Sequence, residues 1–155
     1  MTDSAGNDLP PGSVIGILGG GQLGRMTALA AAQLGYRCHI YDPQRGGPAA
    51  QVAVTETNAA YDDTAALDAF AEAVDVVTFE FENVPVDTAR HLARRVPVRP
   101  GPKSLEVAQD RIVEKAFLNE AGVPTAPYAG VETVQELAAA LSQIGRPAVL
   151  KTVRM

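Results

Sequence analysis

The sequence predicts an α/β fold in which a parallel sheet is covered by helices, followed by the beginning of a second α/β domain. Three observations predict it. Strand-like and helix-like hydrophobic patterns alternate from Val14 onward with short connections, the pattern of successive βαβ units. The first apolar stretch, Val14 to Leu18, runs straight into Gly19-x-Gly21-x-x-Gly24 and then into a helical pattern. At 155 residues and 46% hydrophobic content, the chain can bury one ordinary core, or a small domain plus a piece of another.

The elements follow in order. Met1 to Gly12 is polar, with Asp3, Asp8 and Pro10-Pro11. Lacking the basic start and apolar middle of a signal peptide, it reads as a disordered tail on a cytoplasmic protein. Val14 to Leu18 is a buried strand. Gly19 takes the tight turn off it, Gly21 lets a ligand approach the backbone, and Gly24 lets the next helix lie close to the sheet. That helix shows Leu23, Met26, Ala30 and Leu34 as its apolar stripe and stops at Gly35. Its free N–H groups and dipole favour an anion at the turn, usually a phosphate.

Arg37 to Asp42 is the second strand, Gln44 to Ala50 a Gly/Pro loop, and Val52 to Thr55 a short third strand. Asp63-Thr64 caps a helix bearing Leu67, Phe70 and Val74, with Asp62 and Asp63 in the turn before it. Asp75 to Glu80 is the fourth strand, and Pro85 opens a helix to Arg95. Three prolines in Val96 to Pro102 mark a domain junction. Beyond it, Lys103 to Ala121 reads as one helix burying Leu105, Ala108, Ile112, Ala116 and Phe117, stopped by Gly122 and Pro124. Thr133 and Glu136 form a capping box for a helix closed by Gly145, and Ala148 to Thr152 is a strand containing Lys151. The expected divisions are therefore a tail over 1–12, a first domain over 13–102 and a second beginning at 103.

Composition removes several functions. A net charge of −5, no Trp, and only four Tyr and four Phe give no basis for nucleic-acid binding. No apolar run is long enough to cross a membrane. His39 and His91 are far from any metal-ligand spacing, and the single Cys38 reads as a small buried side chain. No GxxxxGK[ST] is present.

Gly19 to Met26, Phe79-Glu-Phe-Glu-Asn-Val-Pro85, Gln109-Asp-Arg111 leading to Lys115, and Pro147 to Thr152 together resemble the N-terminal part of the 5-(carboxyamino)imidazole ribonucleotide synthases, the ATPase subunits of phosphoribosylaminoimidazole carboxylase. These are ATP-grasp enzymes of purine biosynthesis. The resemblance spans Val14 to Met155 and implies a Rossmann-like pre-ATP-grasp domain followed by the truncated start of an ATP-grasp domain. The implied reaction uses ATP, bicarbonate and magnesium to carboxylate the amine of 5-aminoimidazole ribonucleotide. It also implies a homodimer when the protein is full length.

By that resemblance Gly21, Gln22, Leu23 and Glu80 contact the ribonucleotide, while Arg111 and Lys151 contact ATP. A carboxylate beyond the end of a strand can accept hydrogen bonds from ribose or an amine; a solvated loop residue is the lesser alternative for Glu80, and Glu82 competes for the role. Arg111 and Lys115 are like charges at i, i+4 spacing, which an anion, or Glu114 in a surface ion pair, would offset. Lys151 on a mostly buried strand would need an anionic partner, unless it sits at a sheet edge with its head in water. The loop that closes over ATP and the magnesium-holding carboxylates of complete members are not found, so the chain alone is expected not to turn over and to be marginally ordered beyond about residue 102. Two other classes stay open. One is a nicotinamide-dependent oxidoreductase, with Asp42 on the adenosine ribose. The other is a non-catalytic nucleotide-binding module.

Overall fold

The computed structural model describes residues 8–154. It divides into two compact units, one reaching through Leu105 and one starting at Glu106, the break falling inside the helix that follows the proline-rich stretch.

The first unit contains β1 (Val14–Leu18), α1 (Gln22–Gln33), β2 (Arg37–Tyr41), β3 (Thr55–Thr57), α2 (Thr64–Glu72), β4 (Val76–Phe79) and α3 (Val86–Leu92). Its four strands are all parallel, in the order β3-β2-β1-β4, and Val77 adds a parallel bridge to Val98 beyond β4. Neighbouring residues of β1 feed opposite faces. Ile17 packs with Cys38, Ile40, Ala28, Ala31 and Ala49, whereas Leu18 packs with Tyr41, Leu67, Phe70 and Val77. Burial on both faces is why β1 reads as a continuous apolar run and not an alternating one. Gly16 is required by the second face, because a Cβ there would lie 2.6 Å from the Phe70 ring.

Several expectations need correction. The inner face of α1 is Gly24, Ala28 and Ala31, while Leu23, Met26, Ala30 and Leu34 are exposed. A helix lying close on a sheet needs small residues against it, so the large apolar stripe marks the outer face. The third strand starts at Thr55 and not Val52, because the Val52 and Ala53 N–H groups turn back to the Ala49 carbonyl and pairing begins only at His39–Thr55. Of the expected tail, residues 1–7 lie outside the described residues. Residues 9–12 are instead fastened: the Tyr36 hydroxyl donates to the Leu9 carbonyl, and the Gly12 N–H to the Gly35 carbonyl.

The single long helix after the prolines is two helices, α4 (Pro102–Ala108) and α5 (Arg111–Glu120). Asp110 separates them by accepting the Ile112 and Val113 N–H groups, a strong start signal within an apolar pattern. Leu105 is fully buried as expected, but Ala108 and Phe117 are exposed. In the second unit α6 (Val134–Ile144) begins at Thr133, whose hydroxyl accepts the Glu136 N–H while the Glu136 carboxylate accepts the Glu132 N–H. Residues 148–152 form no strand. A strand exists only by pairing, and no ladder partner lies among the described residues.

Candidate functional site

The strand order places a crevice. After β1 the chain moves outward to β2 and β3, then returns past β1 to β4. The connections leaving the carboxyl ends of β1 and β4 therefore part in opposite directions, which opens the usual ligand crevice of a doubly wound sheet. Two segments meet there: the glycine turn after β1 and Glu80 after β4.

Backbone bonds continue the ladder past both strands. The Gly19 N–H donates to the Tyr41 carbonyl and the Glu80 N–H to the Leu18 carbonyl. Glu80 is thereby set beside the turn, and its carboxylate accepts the Gly21 N–H at 3.0 Å through Oε1 and the Gly24 N–H at 2.5 Å through Oε2. Gly21 is the residue that precedes α1 and has no side chain with which to cap it. An ordinary capping box uses two side chains at the helix start to satisfy its free N–H groups. Here one carboxylate from beyond β4 takes two of them, and its charge meets the positive end of the helix dipole.

The glycine spacing fits this carboxylate closely. Gly19 has φ +107°, and a Cβ on it would strike the Glu80 side chain. A Cβ on Gly21 would lie 2.7 Å from Glu80 Oε1, and one on Gly24 2.8 Å from both Glu80 Oε2 and the Gly19 carbonyl. Asp42 completes the turn. Its Oδ2 accepts the Gly20 N–H at 2.5 Å and its Oδ1 the Gln44 N–H at 2.6 Å. The following loop is tied over the turn by the Ala49 N–H on the Gly20 carbonyl and by Arg25, which donates to the Pro48 carbonyl and Gln51 Oε1.

This changes the expected chemistry of the turn. Its N–H groups do face anions, but these are the chain's own Glu80 and Asp42. A phosphate would have to displace or approach two carboxylates, whereas a sugar hydroxyl or an amine could donate to their remaining lone pairs. Glu80 is not the solvated loop residue that the sequence left open. Gln22 and Leu23 stand exposed on the first turn of α1, next to the site in sequence.

An aromatic cluster packs on the face of the sheet that carries Leu18. The Tyr41 hydroxyl donates to the Ala60 carbonyl at 2.6 Å, and the Tyr41 ring is stacked with Tyr61 and meets Phe70 edge-on. Burial, then Asp63 and Asp62, push the Tyr41 phenol up to about 12. Burial, then Asp42, Glu80 and Tyr41, raise the Tyr61 phenol still further above its ordinary value. His39 bonds through Nε2 to Thr57 Oγ1 at 2.8 Å with its ring edge-on to Phe70, and burial lowers its pKa. Burial likewise pushes the Cys38 thiol up. Sequence reasoning missed Tyr61 as a neighbour of the site. The available signal was its place just past the carboxyl end of a parallel strand.

In the second unit, the Arg111 N–H donates to the Val153 carbonyl at 3.0 Å and its Nε to the Thr152 carbonyl at 3.2 Å. Arg111 is thus brought to the segment of Lys151, and turns there instead of to Glu114. Lys151 is exposed, so the buried strand face expected for it is not formed. Lys115 lies with Nζ 3.4 Å from the Ala126 carbonyl and 5.3 Å from the centre of the Tyr128 ring.

A four-stranded parallel sheet with its crevice at the β1/β4 switch, a glycine turn and an acid just past the ends of β2 and β4 is a Rossmann-like α/β domain. The chain belongs to the ribonucleotide synthetase preATP-grasp domain family, whose model matches residues 13–109. It is similar to the N-terminal part of N5-carboxyaminoimidazole ribonucleotide synthases. It is 54% identical over 147 residues to that synthase of Brucella melitensis, covering 95% of this chain and 41% of that protein. The crystal structure of the Thermus thermophilus synthetase superposes with a TM-score of 0.82 at 49% identity, over 90% of this chain and 39% of that one. The Aspergillus clavatus synthase, solved with ADP and 5-aminoimidazole ribonucleotide, gives 0.75 at 31% identity, over 88% and 37%. The chain therefore spans well under half the length of these relatives.

Proposed function

We propose that this chain is the N-terminal, substrate-receiving part of a purine-biosynthesis ligase. The complete enzyme would use ATP and bicarbonate to carboxylate the amine of 5-aminoimidazole ribonucleotide, giving N5-carboxyaminoimidazole ribonucleotide, ADP and phosphate. The observation that supports this best is Glu80, an acceptor fixed at the switch point by two N–H groups in a chain whose relatives make that product. Glu80 would accept from the ribose or the exocyclic amine of the ribonucleotide, with Gly21, Gln22 and Leu23 forming the wall of the site. Orientation is what this arrangement supplies, because a carboxylate pinned at both oxygens holds its free lone pairs in fixed directions.

The first domain of this reading is residues 13–102, and the ATP-grasp part begins at 103. Arg111 and Lys151 would reach the phosphates of ATP, their approach supported by the bonds from Arg111 to residues 152 and 153. Magnesium would hold the ATP phosphates. Among the described residues no group of three or more His, Cys, Asp or Glu side chains comes together to bind it. The full-length protein acts, on this reading, as a cytoplasmic homodimer.

Calorimetric titration tests the reading. The chain should bind 5-aminoimidazole ribonucleotide, Glu80→Gln should weaken that binding, and a steady-state assay with ATP and bicarbonate should show no turnover. Absence of ribonucleotide binding, or normal product formation by the chain alone, would overturn it.

A further inference from the structure

One peptide of the glycine turn is held from both ends. The Gly20 carbonyl accepts the Ala49 N–H at 2.9 Å, and the Gly21 N–H of the same peptide donates to Glu80 Oε1 at 3.0 Å. In a planar trans peptide these two groups point in opposite directions, so whatever fixes the carbonyl also aims the N–H. A peptide between two glycines meets little steric resistance to turning over. Here the connection from β2 to β3 supplies that resistance, through Ala49 on the carbonyl and through Asp42 on the Gly20 N–H.

The connection lies close on the turn. Ala49 is fully buried, and a Cβ on Gly47 would lie 2.7 Å from the Gly20 carbonyl. What fastens this stretch to α1 is one side chain. Arg25 Nη1 donates to the Pro48 carbonyl at 3.1 Å and to Gln51 Oε1 at 2.8 Å, one bond on each side of Ala49. Both acceptors are uncharged, so ion pairing is not what places the guanidinium there. Arg25 stands on the first turn of α1, and its own N–H donates to the Gly21 carbonyl at 3.0 Å. The contacts therefore run from Arg25 through residues 48–51 to Gly20, across one peptide to Gly21, and on to Glu80.

We propose that Arg25 is a positioning residue of the ribonucleotide site. By latching residues 48–51 to α1 it fixes the Gly20–Gly21 peptide, and through that peptide the direction of the Glu80 carboxylate. This rests on the ribonucleotide reading of Glu80 and deepens it, since it names what holds the substrate's acceptor in place. The effect of Arg25 on binding is carried by Glu80.

Arg25→Met keeps an unbranched stem and removes both donors. Titrated with 5-aminoimidazole ribonucleotide, that chain should bind about three- to tenfold more weakly than its parent, the size of one net hydrogen bond. Arg25→Lys, whose ammonium can still donate to both acceptors, should recover most of the loss. The deciding comparison is made in the Glu80→Gln chain. There Arg25→Met should cost less than about twofold, a non-additivity that a merely structural role would not produce. Gln51→Leu removes one of the two bonds and should show the same pattern at smaller size. If Arg25→Met binds the ribonucleotide as tightly as the parent does, or costs the same factor with and without Glu80, the inference is wrong while the ribonucleotide reading stands. A parent chain that binds no ribonucleotide, or binds it equally well after Glu80→Gln, would overturn both.

Discussion

Replacing Glu80 with alanine removes the acceptor of two N–H groups at the start of α1, those of Gly21 and Gly24. A hydrogen bond to a charged group is worth about 1.5–3 kcal/mol when buried. Glu80 is half-buried, so water would take over part of both bonds, and a net loss of about 2 kcal/mol is expected, including the lost dipole interaction. For a domain of this size that corresponds to about 8–16 °C in Tm. Thermal unfolding followed by far-UV circular dichroism would measure it. A second readout comes from inorganic phosphate: the alanine variant exposes an empty pair of donors at a helix N-terminus, so phosphate should raise its Tm more than that of the parent. A variant that melts with the parent, and gains no more from phosphate, would show that Glu80 is a solvated carboxylate and that the turn is not closed by it.

Three further outcomes are expected. Gly16→Val should destabilise by about 1–3 kcal/mol, read in a urea melt, since its Cβ would meet the Phe70 ring at 2.6 Å and the Val74 side chain at 3.2 Å. His39 is held neutral with its pKa below the ordinary 6.5, so the unfolded chain takes up its proton first; stability should fall as pH drops below about 6.5 toward the lowered folded value, and His39→Gln should flatten that slope in melts across about pH 5–7.5. Asp110→Ala removes the cap of α5 at a cost of about 1 kcal/mol, which should appear as faster amide exchange at Ile112 and Val113 than in the parent.

The sheet was legible because β1 buries both faces, leaving the unbroken run Val14 to Leu18, and because glycine and aspartate mark the ends of α1 and the start of α2. The face of α1 was not. Its helical period shows equally well in Leu23, Met26 and Leu34 as in Gly24, Ala28 and Ala31, and only the closeness of helix to sheet selects the small residues. Glu80 was legible as the acid ending a strand, but not its partner, since a glycine turn carries the same spacing whether the anion is a ligand or a side chain from fifty-nine residues away. Tyr61 gave only the weak signal of standing past the carboxyl end of a strand, because its position depends on Tyr41 and Thr88 fixing a turn that has no regular pattern. The strand expected around Lys151 failed for a related reason: apolar residues in a row describe a strand only when another strand lies beside them.

The closing of α1 by a residue from beyond β4 also bears on the order in which the domain can form. The β1–α1 segment can collapse by itself, but its helix cannot be finished until the chain has been made and folded through Glu80, with 59 and 56 residues separating the bonded groups. Loop closure over that distance is a late and cooperative event. The amides of Gly21 and Gly24, at a helix end where fraying is usual, should therefore exchange only when the whole sheet opens, making two N-terminal protons reporters of whether the fourth strand is in place.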